Sequence, residues 1–178
     1  MSEEIYKFEI DSAEIVIRLI SPVDSIPEIT MLLHSSYKKL ADLGFRYLAT
    51  HQKDVETQRR LNKGISYLAL SNERIISTIT LYVNDADSHN ASWYKKEGVA
   101  HFGQFGVLPE YQNKGIGSLM MDIIETRAKK EGAIEIALDT AEGAAHLIKY
   151  YKKRGYRYIE YVNWEVTNYR SVIMSKKL

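Results

Sequence analysis

The sequence of 178 residues contains no cysteine, only three prolines and almost no net charge. The lack of cysteine excludes disulfide bonds, thiolate catalysis and cysteine-ligated zinc. With 24 basic and 23 acidic residues, the formal net charge of +1 argues against a broad nucleic-acid-binding surface. No apolar run approaches the ~20 residues that a membrane-spanning helix needs, and the acidic first four residues do not resemble a signal peptide. These absences predict a cytoplasmic protein that neither enters a membrane nor binds nucleic acid.

The composition that remains is that of a globular protein. Apolar residues make up 45% of the chain and charged residues 26%, which is ordinary for a soluble domain. Because single domains typically span about 100–200 residues, we expect residues 1–178 to form one domain.

Apolar periodicity predicts four helices and seven strands in the order β-α-α-β-β-β-α-β-α-β-β. The helices are expected over residues 24–40 with Asp24 as N-cap, 50–63 with Thr50 as N-cap, 115–131 and 143–154. The strands are expected over residues 13–20, 65–70, 75–83, 99–107, 134–138, 156–166 and 169–175, with a polar loop over 84–98. A strand–helix–strand order from 99 to 138 implies a right-handed parallel crossover, whereas the hairpins imply antiparallel neighbours. The predicted class is therefore α/β (α+β) with a mixed sheet.

Residues 104–118 are the most informative segment, because a strand ends there and a helix opens on Gly115-Ile116-Gly117. Glycines let a ligand approach the backbone closely, and the N–H groups at a helix start bind phosphate. Lys114 adds a cation beside them. The Walker A pattern is absent, and the dinucleotide fingerprint fails because Met120 occupies the place of its third glycine. The segment predicts a phosphate or pyrophosphate site of another kind.

Two motifs resemble those of the GNAT superfamily of N-acetyltransferases. Residues 107–117, Val-Leu-Pro-Glu-Tyr-Gln-Asn-Lys-Gly-Ile-Gly, resemble its acyl-CoA loop, Gln/Arg-x-x-Gly-x-Gly/Ala after a strand ending in Val-x-Pro-Glu-Tyr. Residues 150–156, Tyr-Tyr-Lys-Lys-Arg-Gly-Tyr, resemble its second signature, Phe/Tyr-Tyr-x-Lys-x-Gly-Phe/Tyr. The motif-level resemblance covers about residues 99–160. It implies a GNAT-like mixed, mostly antiparallel sheet of about seven strands, flanked by four helices, with a central parallel β-α-β unit.

The resemblance also implies acetyl-CoA as co-substrate and no metal. The strand before the loop would separate from the next parallel strand, and pantetheine would lie in the gap beside Phe105, Gly106 and Val107. The Phe105 N–H would face the acetyl carbonyl as an oxyanion-type donor. The pyrophosphate would be held by the backbone of the loop, namely Gln112, Asn113, Lys114, Gly115, Ile116, Gly117 and Ser118. Tight packing of a helix on the sheet is the alternative explanation of the two glycines.

Tyr151 matches the family tyrosine that protonates the departing CoA thiolate. A thiolate with a pKa near ~8.5 gains from a nearby O–H donor. The alternative is a core aromatic residue, in a chain that contains 13 tyrosines. Tyr150 is expected to be the packing residue of the pair.

The sequence offers several candidates for the general base. Some family members place a glutamate eleven residues before the loop's first motif residue, where this sequence has His101. Histidine is a good base near neutral pH, although a packing or solvent-facing role is the alternative; Glu97 and Asp139 are further candidates.

The family often has an asparagine six residues before the tyrosine. Here Ala145 stands there, followed by His146.

The resemblance implies an N-acetyltransferase that moves an acetyl group to a primary amine by direct transfer in a ternary complex. The alternatives are a non-catalytic acyl-CoA-binding sensor or regulatory module of the same fold, or another phosphate-ligand enzyme. The acceptor, a small molecule or a peptide, would meet aromatic residues, for which the candidates are Tyr37, Phe45, Tyr47, Trp93, Tyr94 and Trp164. A homodimer contact through the last hairpin is compatible with the pattern.

Overall fold

The computed structural model describes residues 5–83, 85 and 91–178. The acidic first four residues, together with residues 84 and 86–90 of the predicted loop, lie outside the described residues. No helix in the described ranges is long and apolar enough to cross a membrane.

One eight-stranded sheet organises the chain, with strands in the order β1-β2-β3-β4-β5-β6-β8-β7. The strands are β1 (Ile5–Ile10), β2 (Ala13–Leu19), β3 (Ile65–Ser71), β4 (Arg74–Val83), β5 (Val99–Val107), β6 (Glu135–Ala141), β7 (Arg157–Asn163) and β8 (Arg170–Lys177). The helices are α1 (Ile26–Asp42), α2 (Asp54–Asn62), α3 (Ile116–Lys130) and α4 (Ala145–Lys153). All neighbouring strands are antiparallel except β5 and β6, which α3 connects. The predicted mixed fold with a central parallel β-α-β unit is confirmed, with one strand more than the seven expected.

The additional strand is β1, which pairs with β2 across a two-residue turn. Tyr6, Phe8 and Ile10 alternate with polar residues, which is the period-two signal of a strand. The turn residues Asp11 and Ser12 have φ of 50° and 63°, values that glycine usually supplies in such hairpins. The strand was missed because this turn contains no glycine.

Two predicted helix starts were wrong. The cap of α1 is Ser25, whose hydroxyl accepts from the Glu28 N–H at 3.3 Å. Asp24 instead binds Arg18 through two bonds of 2.7 and 2.8 Å, and the Arg18 hydrogen bond lowers the pKa of that carboxyl. Thr50 lies in a short 3-10 helix, and α2 begins four residues later.

The remaining elements lie where their patterns placed them, with shifts of a few residues at the ends. The strand predicted over 156–166 ends three residues early, at Asn163, and contains a bulge between Tyr158 and Glu160. Trp164 therefore lies beyond the strand, where it packs against the loop that precedes β5. The shortened strand leaves this indole available to the functional site described next.

Candidate active site

The two parallel strands at the centre of the sheet separate from each other. β5 and β6 pair only over residues 99–101 and 135–137. Beyond that point β5 continues along β4 to Val107, and β6 continues along β8 to Ala141. A gap therefore opens between two strands whose facing edges no longer form a ladder.

Backbone groups of Phe105 and Val107 face this gap. The Gly106 carbonyl accepts from Ser77 Oγ on β4 at 2.7 Å, and the Leu108 N–H donates to Ile76 at 2.9 Å. Because successive residues of an extended strand direct their backbone groups to opposite edges, those of Phe105 and Val107 point away from β4. This orientation agrees with the predicted pantetheine contact, whose role stays a prediction. Gly106 has a packing function as well, since a Cβ there would lie 2.9 Å from Ser36 Oγ on α1.

A β-bulge at Gln104 decides which β5 side chains face each side of the sheet. Gln104 has φ of 48°, and the register with β4 shifts by one residue there. Its side chain consequently reaches the α2 side, where its Oε1 accepts from Gln52 Nε2 at 3.1 Å. Phe102 and Phe105, three residues apart, share the opposite side with a centroid distance of 6.0 Å.

The loop before α3 contains two left-handed residues and leads into a helix start that has no side-chain cap. Asn113 and Gly115 have φ of 62° and 88°, and left-handed residues alternating with right-handed ones make anion-binding concavities. Gly115 occupies the N-cap position of α3 without a side-chain cap. No heavy atom lies within 4 Å of a Cβ built on Gly115, and a Cβ on Gly117 would only touch Phe105 and Val107 at 3.5 and 3.7 Å. The loop thus combines the free N–H groups of a helix start with open space at Gly115, and such helix starts bind phosphate groups.

The other predicted loop residues contribute in different ways. Gln112 donates from Nε2 to the Val107 carbonyl at 3.0 Å and so ties the loop to β5. Lys114 pairs with Asp11 at 3.1 Å while remaining partly exposed. Ile116 is buried in the core, so only its backbone is available to a ligand. Ser118 Oγ lies 3.2 Å from the Tyr150 hydroxyl, a contact between α3 and α4 that the sequence did not predict.

Tyr151 lies on α4 and is 9% exposed. Its ring contacts Tyr150 and Tyr156 at centroid distances of 5.4 and 6.0 Å. Its hydroxyl has no hydrogen-bond partner among the described residues. Burial, with smaller contributions from Tyr37 and Tyr150, raises the pKa of Tyr151 well above its usual value. The phenol therefore stays protonated at neutral pH and has a proton to donate.

His101 is buried on the α2 side of the sheet, where β5 and β6 begin to separate. Its Nε2 lies 2.9 Å from Asp85 Oδ2, and Lys63 Nζ lies 2.7 Å from the other oxygen of that carboxylate. Tyr94 stacks on the imidazole at 4.0 Å and 2°, and Tyr82 covers its other face at 4.9 Å and 27°. The carboxylate selects the tautomer that carries its proton on Nε2, which leaves the lone pair on Nδ1.

The protonation of this pair follows from burial and mutual attraction. Burial lowers the pKa of His101, while Asp85 opposes this shift. The hydrogen bond from His101 and the nearby Lys63 lower the pKa of Asp85. A neutral imidazole beside a carboxylate is therefore expected at neutral pH. Asp85 carries no motif, so sequence reasoning had no signal that pairs it with His101.

A cavity of about 400 Å³ opens beside His101 on the α1 and α2 side of the sheet. Four of the six aromatic candidates line it, namely Tyr37, Tyr47, Tyr94 and Trp164. Phe45 lies behind the wall, 6.5 Å from Tyr47, and Trp93 lies outside under Lys96 at 3.8 Å. Tyr82, Phe102 and Tyr169 also line the cavity and were not predicted.

Of the two alternative candidates for the general base, only Asp139 lines the cavity. There it accepts from Trp164 Nε1 at 2.9 Å and from the Tyr94 hydroxyl at 3.3 Å. Glu97 and His146 are exposed, and neither lines this cavity. Ala145 opens α4. In the described parts of the chain, no group of three or more His, Asp or Glu residues is placed to hold a metal ion.

Comparisons with known proteins agree with this architecture. The model of the acetyltransferase (GNAT) family matches residues 30–156. A curated S-(2-succino)cysteine N-acetyltransferase from Bacillus subtilis is 28% identical over 126 residues, which are 68% of this chain and 72% of that protein.

Two solved structures share the fold over nearly the full chain. A GNAT family acetyltransferase from Elizabethkingia anophelis with acetyl-CoA bound has a TM-score of 0.62 at 20% identity, covering 92% of this chain and 98% of that one. The GNAT domain of S. lividans PAT has a TM-score of 0.72 at 16% identity, covering 98% and 97%. With the family match spanning more than half of its residues, this chain belongs to the GNAT acetyltransferase family.

Proposed function

We propose that this protein transfers the acetyl group of acetyl-CoA directly to a primary amine within a ternary complex. The observation that carries the proposal is the gap between β5 and β6, which has a backbone anion cradle and Tyr151 on one side and the aromatic cavity with His101 on the other. A thioester lying in that gap would be reached by an amine from the cavity. The Bacillus subtilis relative is named for N-acetylation, which supports nitrogen as the acceptor atom.

The proposed steps balance protons at named groups. The acceptor arrives as an ammonium, and the Nδ1 lone pair of His101 removes a proton, directly or through a water. The amine nitrogen attacks the thioester carbonyl, and the Phe105 N–H stabilises the oxyanion of the tetrahedral intermediate. The C–S bond then breaks, and the Tyr151 hydroxyl protonates the departing thiolate. The nitrogen passes its second proton through water to the Tyr151 phenolate, which leaves a neutral amide and restores the phenol, and His101 releases its proton to solvent.

A thiol-release assay with acetyl-CoA and a panel of amines, paired with calorimetric CoA binding, tests the proposal. Turnover with any amine class supports transfer. CoA binding without turnover on the panel would contradict catalysis and favour the sensor alternative. No CoA binding at all would contradict the assignment of residues 112–118.

The pH dependence of catalysis tests His101. Wild-type kcat/KM should fall on the acid side, because the base must be neutral, and burial places this limb below the ordinary histidine value of 6.5. His101→Gln should lower kcat/KM by about 100-fold. Its residual activity should rise with pH toward the pKa of the free amine. The exposed His146→Gln serves as the control, and identical profiles for His101→Gln and wild type would remove His101 from the mechanism.

Asp85→Asn tests the partner of that histidine. The groups around His101 are Asp85, Lys63, Asp139 and the two stacked tyrosines. Removing the Asp85 charge deletes an interaction that raises the pKa of His101 and leaves Lys63, which lowers it. The acid limb of kcat/KM should therefore move to lower pH. A limb that moves upward or stays in place would contradict the pairing.

A further inference from the structure

Most of the charged residues that line the aromatic cavity form ion pairs among the described residues. One basic and one acidic residue do not. Glu56 and Arg59 form an ion pair of 2.6 Å at the rim. Lys63 and His101 both bind Asp85, at 2.7 and 2.9 Å. Two charges remain that contact only neutral groups among the described residues, Arg60 and Asp139.

Arg60 is a half-buried guanidinium held by amide oxygens. Its Nη1 donates to Gln52 Oε1 at 3.0 Å and to Gln104 Oε1 at 3.2 Å. Its Nη2 lies over the backbone of β5, since a Cβ on Gly103 would be 3.4 Å from it. No described carboxylate lies within ion-pair distance. A buried charge without a counter-charge is costly, and a guanidinium fork fits a carboxylate with two parallel bonds.

Asp139 is the acidic residue of the cavity that forms no ion pair among the described residues. Its two carboxylate oxygens accept from the Trp164 indole and the Tyr94 hydroxyl, both neutral donors. It lies on β6 two residues beyond Ala137, the last residue paired with β5. A carboxylate at this position stands at the mouth of the gap, where the reacting amine would enter.

We propose that the acceptor is an α-amino acid or a similar zwitterion, whose ammonium lies against Asp139 and whose carboxylate is bound by Arg60. The proposal rests on the proposed transfer to an amine and names the class of that amine. The aromatic walls formed by Tyr37, Tyr47 and Tyr169 would hold the side chain of the acceptor. A cationic group against these rings gains further from cation–π attraction. Arg60 would then decide specificity, because it recognises a group that takes no part in the chemistry.

Matched substrate pairs test this assignment. L-phenylalanine against 2-phenylethylamine, L-tyrosine against tyramine and L-methionine against 3-(methylthio)propylamine differ only in the carboxylate. Wild-type kcat/KM, measured by thiol release, should favour the amino acid of at least one pair by about 100-fold, the effect expected for a charged hydrogen-bond partner. In Arg60→Gln the preference should fall to within about threefold, because turnover of the amino acid falls far more than turnover of the decarboxylated member. Arg60→Lys should keep about a tenfold preference, because it retains the charge and loses the fork.

Arg59→Gln is the matched control, since its side chain is 62% exposed and already pairs with Glu56. It should retain the wild-type preference, and thermal unfolding of all variants reports on folding. A purely structural role for Arg60 would lower turnover of both members of a pair equally, which would overturn the proposal.

Failure of this inference is distinguishable from failure of the proposed function. Equal turnover of amino acids and decarboxylated amines by wild type would overturn the zwitterion and leave the transferase intact. No turnover of either series would contradict the transferase, and calorimetric titration of the same pairs into the CoA complex then decides the inference. Tighter binding of the amino acid, lost in Arg60→Gln, supports it; equal or absent binding overturns it.

Discussion

Replacing Tyr151 with phenylalanine is expected to lower kcat by about 100-fold while acetyl-CoA affinity stays within about twofold. The phenol is buried, its hydroxyl has no protein partner among the described residues, and burial keeps its pKa well above the usual value. It is therefore protonated when the C–S bond breaks and can supply the proton that the thiolate needs. Single-turnover thiol release and calorimetric CoA binding on the same preparation measure the two quantities.

Tyr150→Phe is the matched control for this experiment. It removes the adjacent hydroxyl, which contacts Ser118 instead of the gap. We expect it to keep the wild-type kcat. An unchanged kcat in Tyr151→Phe, or an equal loss in both variants, would show that Tyr151 is not the proton donor.

The second large effect concerns the anion cradle, where Gly115→Ala should weaken CoA binding by about tenfold or more. Gly115 has φ of 88° with open space around it, so the cost of the new Cβ is the left-handed backbone itself, about 1–2 kcal/mol. The loop can relieve that strain by turning its peptide groups, and the N–H donors then no longer converge on the pyrophosphate. Calorimetric titration with CoA measures the loss.

The same helix provides the control. Gly132, at the other end of α3, has φ of 86° and also has no heavy atom within 4 Å of an added Cβ. Gly132→Ala should therefore cost a similar free energy of unfolding while leaving CoA affinity unchanged. Equal CoA affinity in Gly115→Ala and Gly132→Ala would contradict the cradle.

Local patterns predicted most of this fold because each is read over a few neighbouring residues. The apolar period of α3 and the turn after Ser71 both gave elements close to the observed ones. The strand β1 and the cap at Ser25 were readable in the same way, from the alternation of Tyr6, Phe8 and Ile10 and from the Ser25–Glu28 spacing. The cap was missed because the neighbouring Asp24 is also a favoured N-cap residue, and the strand was missed because its turn lacks the glycine that usually marks a hairpin.

Some residues of the candidate site lie in short sequence motifs, whereas others are brought together only by the fold. The loop over 112–118 and Tyr151 lie in two short motifs, so the sequence by itself determined the family, the expected co-substrate and the candidate acid. Only the tertiary structure brings Asp85 to His101, places the Gln104 bulge in β5, and puts Arg60 and Asp139 on one cavity. These residues come from α2, β5, β6 and the segment after β4, and their pairing depends on strand register and helix packing. Electrostatic complementarity depends on distances across the sheet, and no sequence spacing encodes those distances.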